Sequence, residues 1–301
     1  MRIIHDLAIK PPTDKISIHK DEIETQHNAL GIDKKGVFIG IPTYDGTVHV
    51  ALAMALLNNI KNLENAGYKV NVSTAGHCHV TTSRNELSWA FLMSDCDSLI
   101  MIDSDEWCED GAFVKLMEHD VDLVCGVCPR KVEPITFSTA RTYIDLNTNR
   151  LIMDPDTLLV QLEAAPTGLI RIKRRVFDII GREMGKELAY EERGQKRIDY
   201  FEMVRRGGMR WGEDYAFSHK WNAMGGACWA RPDISFKHFG QKVFEGNFAE
   251  YITANTKADG SVNEVPTAEG VPIPLRPAVT LDNEMDRIHK TISETKYSKV
   301  A

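Results

Sequence analysis

Short apolar runs that alternate with segments of helical periodicity are the feature that most restricts the fold of this chain. The first run, GVFIGIPT at 36–43, is rich in Val and Ile and is typical of a strand buried on both faces. Residues 48–65 and 83–95 have apolar residues at helical spacing, and Ser83 with Glu86 three residues later predicts a capping box. Strands that alternate with helices form parallel sheets with right-handed crossovers. We therefore expect an α/β fold with a mostly parallel central sheet flanked by helices. The later runs are KVNVST at 69–74, SLIMIDSD at 98–105 and VDLVCGVC at 121–128.

The organisation of the chain changes near residues 35 and 250. Residues 1–35 are polar without a sustained period and are predicted to be an N-terminal extension on the surface. Residues 36–250 are predicted to form one domain, with a regular half at 36–131 and a less regular half at 132–250. Residues 251–301 are predicted to be a polar C-terminal extension that carries a charged helical stretch near its end.

The charge of the chain argues against a general nucleic-acid-binding protein. The formal net charge is −7, although residues 168–231 contain 14 Lys and Arg against 9 Asp and Glu. The basic clusters at 171–175 and 205–210 fit either a polyanionic ligand or solvated helix faces. No uninterrupted apolar run of membrane-spanning length and no secretory signal occurs, so we expect a protein of the cytoplasm that does not bind a membrane.

Six scattered cysteines do not indicate a disulfide framework. Cys125 and Cys128 form the one close pair, but no second pair of Cys or His at comparable spacing completes a zinc site. The sequence therefore predicts a buried strand here rather than metal chemistry.

The acidic segment Asp103-Ser104-Asp105 ends the third apolar run. Strand alternation points Asp103 and Asp105 to the same side, and carboxylate oxygens suit Mn²⁺ or Mg²⁺. The oxygens of a diphosphate would complete the shell of such an ion. The alternative is an acidic loop that caps the following helix.

At this point the chain resembles the GT-A glycosyltransferases, whose DXD motif ends a central strand and binds a nucleotide diphosphate through a divalent metal. The resemblance covers residues 36–246, where the order of the motifs is similar to that of phage and large-virus transferases. It implies a GT-A, Rossmann-like fold with a nucleotide-sugar half and an acceptor half, and a UDP-sugar or GDP-sugar donor. The motifs that carry it are IPTYDG, SRNELSWAFL, IMIDSD, VCGVCPRK, PTGLIRIKRRVF, GEDYAFSHKW and HFGQKVFEG.

The resemblance also assigns donor-binding residues. Pro42, Thr43 and Tyr44 are expected to line the nucleoside pocket, with Thr74 at the end of the second strand. Arg84 and Asn85 at the start of the next helix match the family's donor contacts, as Asp103 and Ser104 of the DXD motif do, and Thr167 and Gly168 match the element that approaches the transferred sugar and the acceptor. The alternatives are an ordinary strand-to-helix turn for PTYDG and a solvated arginine for Arg84.

The catalytic residues implied by the resemblance lie later in the chain. Asp214 is nominated as the base that accepts the proton of the acceptor hydroxyl in an inverting transfer, with Glu213 as its neighbour or substitute. His238 is nominated as a third metal ligand beside Asp103 and Asp105. The alternatives are two acids that complement a helix dipole and a structural histidine.

The expected function is therefore metal-dependent transfer of a sugar from a nucleotide diphosphate to a hydroxyl group. The acceptor stays open between a glycan and a hydroxylated DNA base, and the viral resemblance points to the host cytoplasm. A nucleotidyltransferase and a catalytically silent sugar-binding protein are the alternative functions, and the sequence leaves the oligomeric state open.

Overall fold

The computed structural model of the protein describes residues 15–137, 144–145, 150–192, 194–206, 209–240, 242–257 and 261. The helices of these ranges are α1 (Lys15–Leu30), α2 (Val50–Asn65), α3 (Val80–Leu92), α4 (Ala112–Met117), α5 (Arg174–Leu188), α6 (Glu213–Ala223) and α7 (Phe248–Ala254). Their first eight strands are β1 (Asp33–Thr43), β2 (Lys69–Gly76), β3 (Cys96–Ile102), β4 (Glu106–Cys108), β5 (Leu123–Gly126), β6 (Ile144–Asp145), β7 (Arg150–Leu151) and β8 (Val160–Leu162). The later strands are β9 (Leu169–Lys173), β10 (Ala189–Glu192), β11 (Gln195–Ile198), β12 (Val204–Arg206), β13 (Met209–Trp211), β14 (Cys228–Arg231), β15 (Ser235–Phe239) and β16 (Val243–Asn247).

A seven-stranded sheet in the order β2-β1-β3-β9-β5-β14-β8 organises the fold. Strands β2, β1 and β3 pair in parallel, and so do β5 and β14. Strand β9 runs antiparallel between β3 and β5, and β8 is an antiparallel edge. The predicted α/β fold with a mostly parallel sheet is confirmed.

The two faces of the sheet are covered by different helices. Phe38 and Met101 belong to a hydrophobic cluster with residues of α3, α5 and α6, whereas Ile39 and Ile100 belong to a second cluster with residues of α2 and α4. Adjacent strand residues point to opposite faces, so a strand covered on both sides needs a continuous apolar run. This requirement explains the pattern seen in the sequence.

A small three-stranded sheet, β16-β15-β4, follows the DSD segment. Strand β4 begins at Glu106, directly after Asp105, and pairs antiparallel with β15. His238 lies opposite Glu106 in this pair. The small sheet thereby brings a late part of the chain to the end of β3.

Two helices of the described residues lie at the predicted domain boundaries. Helix α1 lies within residues 1–35, with Ile23 only 3% exposed and His27 Nε2 2.6 Å from Asp178 Oδ2 of α5. Among residues 21–30 of this helix, Ile23 is the apolar residue that is buried, and a lone buried position gives no helical period. Helix α7 crosses the boundary expected at residue 250, and Phe248 packs on Phe137. The helical stretch predicted at 281–294 lies outside the described residues.

The capping box predicted at Ser83 is wrong. Helix α3 begins one turn earlier at Val80, with His79 as the N-cap residue. Ser83 is therefore inside the helix and buried, and Glu86 instead accepts a hydrogen bond from His77. The longer helix brings Arg84 onto a buried face.

The basic cluster at 171–175 is not the polyanion-facing or solvated surface that the sequence suggested. Arg171 is 1% exposed and donates to the carbonyl oxygens of Leu116, His119 and Val121. Arg174 is also buried and donates to carbonyl oxygens, and Arg175 pairs with Asp122. Arg171 and Arg174 therefore connect separate backbone segments through hydrogen bonds.

Within the described ranges, none of the helices combines the length and the apolar character that a membrane crossing requires.

Candidate functional site

The DSD turn at the end of β3 is fixed by backbone hydrogen bonds from three directions. The Asp103 N–H donates to the Gly168 carbonyl at 2.9 Å, and the Glu106 N–H donates to the Asp103 carbonyl at 3.2 Å. The Ser104 carbonyl accepts from the His49 N–H at 2.9 Å. The turn is thus tied to the start of β9 and to the start of α2, and its carboxylates have defined positions.

His238 faces Asp105 across this turn. The distance from His238 Nε2 to Asp105 Oδ1 is 3.6 Å, and His238 Nδ1 lies 2.9 Å from the Pro129 carbonyl oxygen. A nitrogen that donates to a carbonyl must carry the proton, so the lone pair of the neutral ring is on Nε2. The ring therefore presents its ligand atom toward Asp105.

The two side chains change each other's pKa. Burial alone would raise the pKa of Asp105, but its interactions with His238 and Lys131 outweigh burial and lower the pKa to about 2. Burial likewise opposes protonation of His238, but Asp105 and Glu106 raise its pKa. Asp105 is consequently an anion at any physiological pH, which a cation ligand has to be.

Glu106 is the most unusual carboxylate of the site. It is 2% exposed, and burial followed by the charge of Asp103 raises its pKa to about 8. Its Oε2 atom has no hydrogen-bond partner among the described residues. A Cβ atom on Gly168 would lie 2.3 Å from Glu106 Oε1, so any larger residue at that position would have to displace the Glu106 carboxylate. The predicted importance of Gly168 thus has a structural cause, which is the packing of Glu106.

Arg84 connects the DSD turn with the acidic pair of α6. The side chain is only 4% exposed; its Nη2 donates to Asp103 Oδ1 at 2.7 Å, and its Nη1 donates to Glu213 Oε1. Withdrawal from water works against the charge of Arg84, but Asp103, Glu213 and Asp214 raise its pKa. Arg84 is therefore an ion-paired residue of the site, and both terminal nitrogens already have carboxylate partners.

Asp214 lies in the first turn of α6, beside Glu213. Its Oδ1 accepts the N–H of Tyr215 at 2.8 Å. Burial, and next the charge of Glu213, raise the pKa of Asp214 to about 6. A carboxylate with such a pKa is deprotonated at neutral pH and is still basic enough to accept a proton.

The predicted nucleoside residues lie at the ends of β1 and β2. Pro42 is paired with Ala75 in the sheet, and the Thr43 hydroxyl donates to the Ala75 carbonyl at 3.3 Å. Tyr44 is 73% exposed, and Thr74 is exposed on β2 opposite Ile41. Tyr44 and Thr74 are thus free to contact a ligand, whereas Pro42 and Thr43 are buried.

Asn85 and Thr167, two of the predicted donor-binding residues, are buried. The Asn85 side chain accepts from the Phe201 N–H at 3.0 Å and donates to Asp199 Oδ1 at 2.5 Å. It therefore positions the segment before α6 through both ends of its amide. Thr167 is 3% exposed, directly before Gly168.

Comparison with known proteins gives distant structural similarity and no match by sequence. No family model matches the chain, and no curated protein matches it by sequence. Among solved structures, the chain is similar to A197 from STIV, with 19% sequence identity and a TM-score of 0.44. The similarity covers 70% of this chain and 94% of A197. The chemistry of the site has to be inferred from its own residues.

Three residues of the site are not predicted from the sequence. They are Glu106, Cys128, whose segment predicts only a buried strand, and Lys131, which pairs with Asp105. The position of Glu106 directly after the DSD segment is the local signal that could have identified it.

Proposed function

We propose that the protein is a metal-dependent glycosyltransferase of the GT-A kind. The observation that carries the proposal is one connected polar network. It joins the carboxylates of the DSD turn to His238 on one side and, through Arg84, to the Glu213–Asp214 pair on the other. The first side has the chemistry of a donor-diphosphate site, and the second has the chemistry of a base.

The residues of the turn fit a hard divalent cation. Asp105 is anionic, and His238 directs the lone pair of Nε2 toward it from 3.6 Å. Asp103 adds a second carboxylate, which is 30% exposed. Mn²⁺ or Mg²⁺ would be held by Asp103, Asp105 and His238, and would neutralise the negative charge that develops on a diphosphate leaving group. Lys131 balances the charge of Asp105 until a cation does so.

Asp214 is the better candidate for the base. Glu213 Oε1 already accepts a hydrogen bond from Arg84, so this carboxylate is engaged in an ion pair. Asp214 has the raised pKa that general-base catalysis requires. Asp214 takes the proton of the acceptor hydroxyl as that oxygen attacks the anomeric carbon. Attack from the face opposite the leaving group gives inversion.

The proposal extends to the fold, the donor and the acceptor. The α/β sheet with the DSD turn at the end of a central strand supports the GT-A fold. Exposed Tyr44 and Thr74 at the ends of β1 and β2 are available to the nucleoside of a UDP-sugar or GDP-sugar. The acceptor is a hydroxyl group of a glycan or of a hydroxylated DNA base.

The test is Mn²⁺-dependent hydrolysis of a panel of UDP-sugars and GDP-sugars by the purified protein, followed by release of the nucleotide diphosphate. We expect one donor to be hydrolysed, and at least a hundredfold loss in Asp105→Asn. The matched control is Asp156→Asn, which changes an exposed turn carboxylate and should keep full activity.

The products also separate the alternatives. A nucleotidyltransferase would release inorganic pyrophosphate from a nucleoside triphosphate instead of a nucleotide diphosphate. Absence of metal-dependent turnover with every donor, together with no donor binding by calorimetry, would contradict the proposed glycosyltransferase activity. A sugar-binding or structural protein would then be left.

A further inference from the structure

Three groups with metal-ligating chemistry meet next to the DSD turn, and the proposed function uses only one of them. A carboxylate oxygen of Glu106, the Cys128 sulfur and a ring nitrogen of His238 all lie within 4.8 Å of one another. Glu106 and His238 are directly opposite in the β4–β15 pair, so their side chains share a face of the small sheet. Cys128 joins them from the segment after β5.

One carboxylate oxygen of Glu106 has no hydrogen-bond partner in this cluster of described residues. The side chain is buried, yet Oε2 has no hydrogen-bond partner within the described part of the chain. Buried polar atoms in folded proteins are normally satisfied by protein, water or an ion. Gly168 closes the other side of the carboxylate, because a Cβ there would lie 2.3 Å from Oε1. The unpaired oxygen therefore marks an incomplete polar site.

His238 is already oriented as a metal ligand would be. Its Nδ1 donates to the Pro129 carbonyl from 2.9 Å. Metal-ligating histidines almost always donate their second ring nitrogen to a carbonyl or a carboxylate, which fixes the tautomer and leaves the lone pair for the ion. Pro129 follows Cys128 directly, so the same short segment supplies a ligand and orients another.

We propose that Glu106, Cys128 and His238 bind a thiophilic divalent cation of the Zn²⁺ class. Thiolate, imidazole and carboxylate are the three ligand types of zinc sites, and three protein ligands leave one position open to a water molecule or a substrate oxygen. When the ion binds, the Cys128 thiol and the protonated Glu106 carboxyl each release a proton to solvent, and the sulfur and a carboxylate oxygen bond to the metal. Ligand atoms around Zn²⁺ are about 3.5 Å apart, so the cluster contracts by on the order of 1 Å.

This site shares only His238 with the Mn²⁺ or Mg²⁺ site of the proposed function and needs no nucleotide sugar. One lone pair on Nε2 binds one ion, so the two cations compete for His238. A thiophilic ion held here is also distinguishable from a hard cation, because only a metal–thiolate bond has an ultraviolet charge-transfer band.

The experiment is a titration of the full chain with Cd²⁺, followed by ultraviolet absorption and equilibrium dialysis. It uses a Cys78→Ser background, because Cys78 is exposed and would bind the probe by itself. We expect a charge-transfer band that saturates at one Cd²⁺ per chain. Cys128→Ser should remove the band and weaken binding at least tenfold. The control is Cys125→Ser, which changes a buried cysteine of the neighbouring strand and should keep the band.

Two further variants keep the result decisive. Glu106→Gln should keep the band but weaken binding about tenfold, and it carries the test if Cys128→Ser does not fold by circular dichroism. Asp105→Asn should keep the band even where it abolishes donor hydrolysis, so failure of the glycosyltransferase proposal leaves this readout intact. No band at saturating Cd²⁺, or a band that persists in Cys128→Ser, would overturn the inference.

Discussion

Arg84 donates to Asp103 Oδ1 at 2.7 Å, and through this ion pair helix α3 is bound to the end of strand β3. The same guanidinium also pairs with Glu213 at the start of α6. The carboxylate proposed for the donor metal and the acidic pair proposed for proton transfer are therefore held by a single buried cation. A change at Arg84 should affect both.

Replacing Arg84 by Met should destabilise the protein strongly. Removal of one partner of a buried ion pair leaves uncompensated charge and costs about 3 kcal/mol or more. Urea titration measures this loss as the change in the free energy of unfolding. Arg182→Met is the matched control, since Arg182 pairs with exposed Glu22 and an exposed pair contributes less than about 1 kcal/mol. Equal losses in the two variants would contradict the bridging role.

The pKa of Asp214 predicts how activity depends on pH. With a pKa of about 6, the base is protonated below that pH, so kcat/KM for transfer should rise with pH and level off above about 6. The profile is measured with saturating metal at each pH. Asp214→Asn should lose at least about a hundredfold in kcat. A variant that kept the same profile would exclude Asp214 as the base.

The raised pKa of Asp214 also predicts that the free energy of unfolding falls as the pH rises. Its folded pKa of about 6 is above the unfolded value of about 3.9, so between these pH values the folded state binds more protons than the unfolded state. The contribution that protonated Asp214 makes to stability is thus complete below about pH 4 and lost as the pH rises through about 6. Asp214→Asn should remove this loss and raise stability at pH 7 by on the order of 2 kcal/mol. Thermal unfolding at pH 5 and pH 7 measures it, and Asp156→Asn should show no such gain.

Gly168→Ala should distort the site without changing any charge. The added Cβ would lie 2.3 Å from Glu106 Oε1, and relief of such a clash costs about 1–3 kcal/mol. Gly185→Ala on α5 is the control, because its Cβ would meet Ile198 at an ordinary 3.5 Å and alanine favours the helix by about 1 kcal/mol. The midpoint of thermal unfolding should therefore fall in Gly168→Ala and rise in Gly185→Ala. A neutral Gly168→Ala would show that the Glu106 carboxylate is free to move.

Arg171→Met should affect stability rather than ligand binding. The side chain is buried, burial lowers its pKa to about 10, and it donates to the carbonyls of Leu116, His119 and Val121. Loss of these donors leaves buried carbonyl groups unpaired and should cost about 3 kcal/mol in urea unfolding. Arg205→Met on exposed chain should cost less than about 0.5 kcal/mol. A salt-dependent loss of polyanion binding in Arg171→Met alone would contradict this structural role.

The sheet was predictable because a strand that is buried on both faces needs a continuous apolar run, and β1, β3 and β5 have one. The start of α3 was not predictable. Ser83 and Glu86 have the spacing of a capping box, but the same spacing also occurs inside a helix, where these two residues lie. The sequence also did not predict the role of Arg171 and Arg174, since their partners are carbonyl groups at the end of α4 and at the start of β3, far away along the chain. Local patterns describe a segment, but not what packs on it.

The sequence by itself determined the alternation of strands and helices and the position of Asp103 and Asp105 at the end of a strand, because both depend on neighbours along the chain. Only the tertiary structure decided that Glu106, Cys128 and His238 meet, and that Arg84 joins Asp103 to Glu213. Those contacts depend on the register of β4 against β15 and on the packing of α3 and α6 on the sheet. Register and packing are set by the burial of whole faces, which no single segment encodes.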